Sequence, residues 1–416
     1  MAPATVRAGL AQLEREGYIK LDARRTAKVL YRITPQQLRE NAARYFVPRA
    51  EGILDVNRSG QVLFEPLWEA GLRRWSQTDW DDLRRELASP SPGAASMPVE
   101  FYLMSLRALD NRLALNLYWE MVRYIRFPYL GDRDLVPWED PDLPQEEAIA
   151  RLKQEFESEY VQAVTELFAF IDKSRTGYGL EDMPPIPFRW NIYRQRPQLR
   201  YSLASRIIQE ILEGKYPVGG YLPSLTQMTE QYGVALSTVR RALSMLEDMG
   251  VTQSQHGKGT QVLMEPKAPN TAEPSVQEGL RLYRESLQLL ALTIRGVCLE
   301  TLEAAGPEQR DRLAERFAKL RMEGRAGLCF ETCLGFLVQN CPMAMVREAY
   351  GRIRELLAWG YPIALARTGQ NGLHRAYAES AALMESHLWA QRWDDFAALW
   401  EELLEQEEAQ AAGLIT

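Results

Sequence analysis

The sequence predicts a mainly α-helical chain, internally duplicated, with short β-hairpins. Three observations carry that expectation. Apolar residues recur at three- and four-residue spacing through long stretches, as in Leu203, Ile207, Ile208, Ile211 and Leu212. Val251–Gln255 and Thr260–Met264 alternate around the glycine-rich tip Gly257-Lys258-Gly259, as two short strands would. Thr5-Val6-Arg7 recurs as Thr238-Val239-Arg240, and on that register Leu10, Leu13, Glu14 and Gly17 fall on Leu243, Leu246, Glu247 and Gly250.

The first copy occupies residues 1–34. It begins where the repeated helix begins, and Tyr18–Asp22 and Lys28–Ile33 read as its two strands. Ala23-Arg24-Arg25-Thr26 stands in place of the glycine tip. This stretch carries seven Lys/Arg against three Asp/Glu over Met1–Ile33, which suits phosphate contact. With no supporting helices before it, such a half-unit lacks a core. Either the natural gene starts upstream of Met1, which aligns with Val234, or the first copy is a degenerate lobe; the upstream start is the expectation.

Residues 35–182 read as a helical block. Gln36–Asn41 and Arg44-Tyr45 lead into helical patches up to Leu72, with an interruption around Ser59-Gly60. Ser89–Pro98 reads as a loop, Phe101–Ile125 as a segment of large apolar residues, and Phe156–Ile171 as an aromatic-rich acidic helix. Residues 183–200 read as a linker, since Met183–Pro187 is proline-rich.

Residues 201–266 are the complete copy. Ser202–Glu213 has one apolar face, and Gly214 fits the position past a helix end. Ser224 followed by Gln227 has capping-box form, so a short helix starts at Leu225 and stops at Gly233. The next helix buries Val239, Ala242, Leu243 and Leu246, while its front edge offers Ser237, Thr238, Arg240 and Arg241. Three helices followed by a narrow hairpin are the layout of a winged helix-turn-helix, whose main physical use is to hold one helix in a DNA major groove. Residues 267–274 form a second linker. Residues 275–416 repeat the helical block: Leu280 to Leu299 at helical spacing, an apolar segment Leu328–Leu357, and an acidic aromatic helix Trp393–Glu407. Asp110-Asn111 and Gln339-Asn340 sit at matching points of the two blocks.

From Ser202 to Val262 the sequence resembles the GntR family of bacterial transcription regulators. The resemblance rests on Leu222-Pro223-Ser224, on Thr238-Val239-Arg240 with Ala242-Leu243, on Leu246-Glu247 with Gly250, and on Gln255-His256-Gly257-Lys258-Gly259-Thr260. It implies a recognition helix in the major groove and a wing at the minor groove. It assigns DNA contacts to Ser237, Thr238, Arg240, His256, Gly257 and Lys258; the neighbouring residues Ser224, Arg241, Gln255 and Gly259, and Thr5, Arg7, Arg24 and Arg25 of the first copy, are further candidates. Leu225-Thr226 and Leu236 depart from the family pattern, which often has arginines there. The region Tyr201–Glu265 is also about neutral, with five Lys/Arg and six Asp/Glu.

The second helical block resembles the FCD group of effector-binding domains within that family, through Phe330 to Asn340-Cys341-Pro342. Many such domains hold a metal through one Asp and three His. Here Gly327 and Glu331 stand at the Asp and first His positions, and only His374 and His387 remain outside the wing. No metal and no other cofactor is therefore expected. Phe101-Tyr102, Tyr118-Trp119 and Phe330–Phe336 are candidates to line an effector pocket, and Arg123 and Arg347 are candidates to meet an anionic effector. Bundle core and surface are the competing roles.

The expected partners are double-stranded DNA and a small-molecule effector of unidentified chemistry, with a homodimer or an intramolecular pseudo-dimer as the working form. The alternative is a small-molecule-binding or protein-interaction module whose winged heads no longer bind DNA. No catalytic constellation is visible, so an enzyme is not expected. Cys298, Cys329, Cys333 and Cys341 contain no Cys-x-x-Cys and read as reduced cytoplasmic thiols. No apolar run reaches membrane-spanning length, and no signal peptide is expected. With 416 residues, 46% hydrophobic composition and a net charge of −7, several cores are possible and any DNA affinity must be local.

Overall fold

The computed structural model describes residues 3–22, 25–30, 32, 34–88, 97–125, 145–192, 199–212, 214–265, 274–358, 360, 362, 364, 369, 372 and 374–413. These residues are mainly helical, with two antiparallel hairpins. The chain divides into two compact units: Met1–Glu51 with Val161–Ile186, and Gly52–Tyr160 with Pro187–Thr416.

The first unit opens with α1 (Pro3–Arg15), whose proline at the first helical position needs no hydrogen-bond partner. Gly17 at φ 81° ends it, and the Gly17 and Tyr18 amides close back on the Glu14 and Leu13 carbonyls. β1 (Ile19–Asp22) pairs with β2 (Arg25–Val29), Ile19 opposite Val29. Thr34 and Gln37 form the capping box of α2 (Pro35–Phe46). The chain at Ile186 is tied in by its amide, which donates to the Pro48 carbonyl at 2.7 Å.

α3 (Ala50–Leu72), nearly all of it in the second unit, is continuous. The interruption expected at Ser59-Gly60 is absent, because Ser59 turns its hydroxyl onto the Asp55 carbonyl of the preceding turn at 2.7 Å and so leaves the helix intact. There follow α4 (Gln77–Ala88), α5 (Met97–Arg107) and α6 (Arg112–Ile125). Trp68, Leu72, Trp75, Trp80, Leu83 and Phe101 form a buried cluster between them. Asp110 at φ 50° breaks α5 from α6, and Asn111 then caps α6 by accepting from the Ala114 amide at 2.8 Å. α7 (Gln145–Gly177) runs from this unit into the first.

The linker expected at 183–200 is not a free spacer. Phe188, Trp190 and Ile192 are buried. Trp190 donates through Nε1 to Asn116 at 2.7 Å and through its amide to Glu348 at 3.2 Å. A proline-rich stretch predicts extended backbone, and only packing reveals that its aromatic residues are anchors. The second expected linker lies almost wholly outside the described residues.

The winged unit comprises α8 (Leu199–Leu212), α9 (Leu225–Tyr232), α10 (Leu236–Asp248), β3 (Thr252–Gln255) and β4 (Gly259–Val262). The C-terminal helices are α11 (Pro274–Ala304), α12 (Pro307–Met322), α13 (Cys329–Asn340), α14 (Ala344–Leu357), α15 (Ala378–Trp389) and α16 (Trp393–Ala412). α11 and α16 run antiparallel, bridged by Arg284–Glu408 at 3.1 Å and Arg295–Asp394 at 3.0 Å.

Polar contacts join the helices before the winged unit to those after it. Asn111 Nδ2 donates to the Glu285 carbonyl at 2.8 Å and to Gln288 Oε1 at 2.7 Å, while Gln288 returns a bond to the Leu109 carbonyl. Both carboxylate oxygens of Asp55 accept from the first amides of α14, Ala344 and Met345, at 2.6 Å each. A carboxylate is favoured there, since a helix N-terminus presents unpaired N–H groups and positive dipole.

Local geometry repeats at 233 residues' separation, the offset between Thr5 and Thr238. Glu14 accepts from the Leu21 amide, as Glu247 does from Ser254. Leu30 donates to Tyr18, as Leu263 does to Val251. Ile19 faces Val29 as Thr252 faces Val262. Burial does not repeat. Val6, Leu13 and Tyr18 are 44%, 40% and 39% exposed, whereas Val239, Leu246 and Val251 are fully buried.

Candidate nucleic-acid interface

The winged unit is built around α10. Val239, Ala242 and Leu246 turn inward against Leu203, Ile207 and Ile208 of α8 and Met228 of α9, all buried. Fully burying such a side chain contributes roughly 1.5–3 kcal/mol, so a few residues fix the orientation of the helix. Ser224 caps α9 by accepting from the Gln227 amide, and its own amide donates to Gln227 Oε1 at 2.9 Å. Gly233 ends α9 at φ 63°, a conformation that costs a residue with a Cβ about 1–2 kcal/mol.

With the apolar side fixed, the outer edge of α10 is decided. Ser237, Arg240 and Arg241 are exposed and Thr238 is half-buried. Among the described residues neither arginine has an ion-pair partner. No side chain caps the N-terminus of α10, whose preceding residue is Ala235. The Thr238 and Val239 amides close on the Ala235 carbonyl, which leaves the two amides before them for an anion, alongside two short hydroxyl side chains and two guanidinium groups.

The wing follows from two glycines. Gly257 at φ 73° and Gly259 at φ 108° make the tight tip, and His256 and Lys258 stand exposed upon it. Its base is stiffened by a third segment. Gly219 and Leu222 donate to the carbonyls of Val262 and Thr260, and Val262 donates to Gly220. Tyr221 on this segment donates to Gln255 Oε1 at 2.9 Å, and Gln255 Nε2 donates to Gln261 at 2.6 Å.

Of the residues expected to contact DNA, Ser237, Thr238, Arg240 and Arg241 share the edge of α10, and His256, Gly257, Lys258 and Gly259 share the wing tip. Ser224 and Gln255 differ from the rest. The first spends its hydroxyl on the cap and the second is tied into the base of the wing, so both serve local structure. Tyr221 is a further surface residue that the sequence does not single out. It is 45% exposed beside the wing, and the Gly219-Gly220 turn before it was the available signal. In the first unit Arg7 is exposed on α1 and Arg25 opens β2. Thr5 lies in α1, the side chains of Thr5 and Arg25 are not described, and Arg24 lies outside the described residues.

The support of the winged unit includes a polar cluster behind α8. Glu210 accepts from Tyr232 Oη at 2.6 Å and pairs with Lys215 at 2.9 Å. Burial pushes the Glu210 carboxyl up, but the Tyr232 and Lys215 hydrogen bonds and nearby positive charge outweigh it and hold the group below its usual value.

Several candidates in the helical part take other roles. Arg347 donates to the Cys341 carbonyl at 2.6 Å and so caps the end of α13. Arg123 pairs with Glu120 on its own helix at 3.0 Å. Both candidates for an anionic effector are thus engaged with a neighbour within the protein. Phe101 belongs to the Trp68 cluster, and Tyr102 and Tyr118 stack at 5.8 Å beside it. Phe330, in contrast, lines a cavity of about 90 Å³ together with Gly327, Glu331, Arg354, Tyr377 and Gln209. Gly327 and Glu331 are the two positions that the FCD resemblance singled out. His374 accepts from the Gly327 amide at 3.2 Å, and burial lowers its basicity. Among the described residues no three His, Cys, Asp or Glu side chains converge. The four cysteines are buried thiols, and burial pushes Cys329 up to about 12. No described helix is long and apolar enough to cross a membrane.

Residues 199–262 match the family of bacterial regulatory proteins known as the gntR family. A helix-turn-helix-type transcriptional regulator, RmpR of Mycobacterium gastri, is 33% identical over 142 residues, covering 32% of this chain and 50% of that protein. The transcriptional regulator TreR of Bacillus subtilis is 43% identical over 61 residues, 15% of this chain and 26% of that protein. The chain thus spans half the length of the first of these relatives and about a quarter of the second. Among solved structures, E. coli McbR/YncC aligns at 17% identity with a TM-score of 0.30, covering 52% of this chain and 99% of that one.

Proposed function

We propose that this chain is a DNA-binding transcription regulator of gntR type. The winged unit at 199–262 places the front edge of α10 in the major groove, with Ser237 and Thr238 toward a phosphate and Arg240 and Arg241 toward phosphates or guanine edges. His256 and Lys258 reach the minor groove from the wing. The observation that carries the reading is the exposure of this edge and tip, with two arginines that have no ion-pair partner among the described residues, on a helix whose N-terminus no described side chain caps.

The chain has two winged segments on this reading. The bonds of Glu14 and Glu247, and the matching hairpin registers, support descent of residues 3–30 from the same unit as 236–263. One chain then does the work of a dimer. Because its two heads differ in sequence, the operator half-sites need not be a true palindrome. A small molecule bound among the C-terminal helices modulates the affinity.

The test is duplex binding as a function of salt, with DNA from upstream of its own gene. Each phosphate contact adds about 0.9 to the log–log salt slope, so each costs roughly 3.5-fold in affinity between 50 and 200 mM salt. Arg240→Ala is expected to weaken binding and to flatten the slope by about one contact. Full affinity in Arg240→Ala and in Lys258→Ala would refute the reading. The balance of five basic and six acidic residues over 201–265 favours a second reading, a protein-contact module, which predicts no duplex binding even at low salt.

A further inference from the structure

The cavity among the C-terminal helices has a wall that belongs to the winged unit. Gln209 and Leu212 of α8 line it, opposite Leu287 of α11, Leu334 of α13, and Arg354 and Leu357 of α14. The helix that supports the recognition helix therefore also closes the cavity.

Its chemistry is polar at two points, Arg354–Glu331 and Tyr377–Glu407, and apolar elsewhere, with leucines and the rings of Tyr283 and Phe330. Arg354 donates through Nε to Glu331 Oε1 at 2.7 Å and bonds it again through Nη2. The Gln209 amide, with its oxygen turned toward the Arg354 guanidinium, accepts from Nη2 at 2.9 Å and from Nε at 3.0 Å. Tyr377 donates to Glu407, a second carboxylate in the lining. Burial and the Glu407 charge push the Tyr377 hydroxyl far up, so it stays a donor. The described lining thus has one guanidinium and two carboxylates among leucines and the rings of Tyr283, Phe330 and Tyr377.

That balance selects a ligand. A simple anion meets excess negative charge, and a simple cation meets the guanidinium. A molecule with both charges satisfies both groups. The volume of about 90 Å³ has room for roughly six to nine atoms of water size. A carboxylate bonds a guanidinium more strongly than a neutral amide does, so Gln209 is the contact that gives way.

We propose that the cavity takes a small aliphatic α-amino acid, whose carboxylate displaces the Gln209 amide from Arg354 and so releases α8 from α14. The ammonium faces Glu331 and Glu407, and the side chain lies against Leu287, Leu334 and Leu357. Loss of the clasp lets the winged unit shift on the helices behind it, a coupling expected to change DNA affinity about tenfold. The inference rests on the regulator reading for its consequence, but its binding chemistry stands apart from that reading.

The experiment uses the full chain and three probes: L-leucine, 4-methylpentanoate and isopentylamine. Calorimetry is expected to give leucine at least tenfold tighter than either singly charged probe. Arg354→Gln is expected to erase the preference of leucine over isopentylamine. Leucine is expected to speed amide exchange across residues 199–212. In Gln209→Ala the displaced amide is already gone, so leucine binds more tightly and the exchange change is absent. Equal binding of the three probes, no binding at millimolar concentration, or an exchange response that survives in Gln209→Ala overturns the proposal. Duplex binding without any probe is measured on the same protein. If DNA binds and the probes do not, this inference fails while the regulator reading stands. If the probes behave as expected and DNA does not bind, the regulator reading fails instead.

Discussion

Replacing Asp55 by alanine isolates the contact by which α3 fixes the start of α14. The two Asp55 oxygens accept from Ala344 and Met345 at 2.6 Å each, across 289 and 290 positions of sequence. Loss of a capping side chain costs about 0.5–2 kcal/mol, and loss of a charge at a helix N-terminus adds about 0.3–1 kcal/mol. The site is partly open to solvent, so water replaces some of what is lost. Asp55→Ala should therefore destabilise the fold by about 2 kcal/mol. Asp55→Asn keeps one acceptor and removes the charge, and should cost about half as much. Urea unfolding gives the totals, and amide exchange at residues 344–347 localises them. An unchanged midpoint together with unchanged exchange at the start of α14 would refute the reasoning. If α14 frays, Arg354 near its far end is displaced less than its first turn, so the two arms of the exchange profile should separate.

Three further outcomes follow from the packing. Tyr232→Phe removes the hydroxyl that donates to Glu210, which lets that carboxyl rise and should cost about 1 kcal/mol at neutral pH. Since the folded Glu210 titrates below its usual value of 4.5, its contribution is present above that pH and is lost as pH falls below it. Acid unfolding should therefore show a smaller pH dependence below about 4.5 in the variant than in the parent. Gly233→Ala forces a Cβ into φ 63° and should destabilise the winged unit by about 1 kcal/mol, read as a lower urea midpoint. Trp190→Phe leaves Asn116 without its donor and opens space against a fully buried ring, for a cost of about 2 kcal/mol, read by the same method.

Much of the winged unit was legible because its signals are local. A capping box, a positive-φ glycine and the inward spacing of Val239, Ala242 and Leu246 are each set by a few neighbouring residues, and they placed α9, α10 and the wing within one or two positions. The candidate edge followed, since what faces away from an apolar stripe is exposed. Where a side chain has a second partner, spacing alone does not reveal it. Gln255 reads as a DNA contact of the wing and is tied to Tyr221 and Gln261, and Arg347 reads as an anion contact or a surface arginine and caps α13.

The sequence by itself determined the helical class, the winged unit, the repeat of Thr5-Val6-Arg7 and the residue types on the recognition edge, because turn chemistry and periodicity act over a few residues. Only the tertiary structure decided that Trp190 anchors a stretch that reads as linker, that Asp55 caps a helix nearly 290 residues away, and that Gln209 of the winged unit meets Arg354. Those contacts join side chains far apart in the chain. Their energy depends on packing and on exclusion of water, which no local pattern encodes.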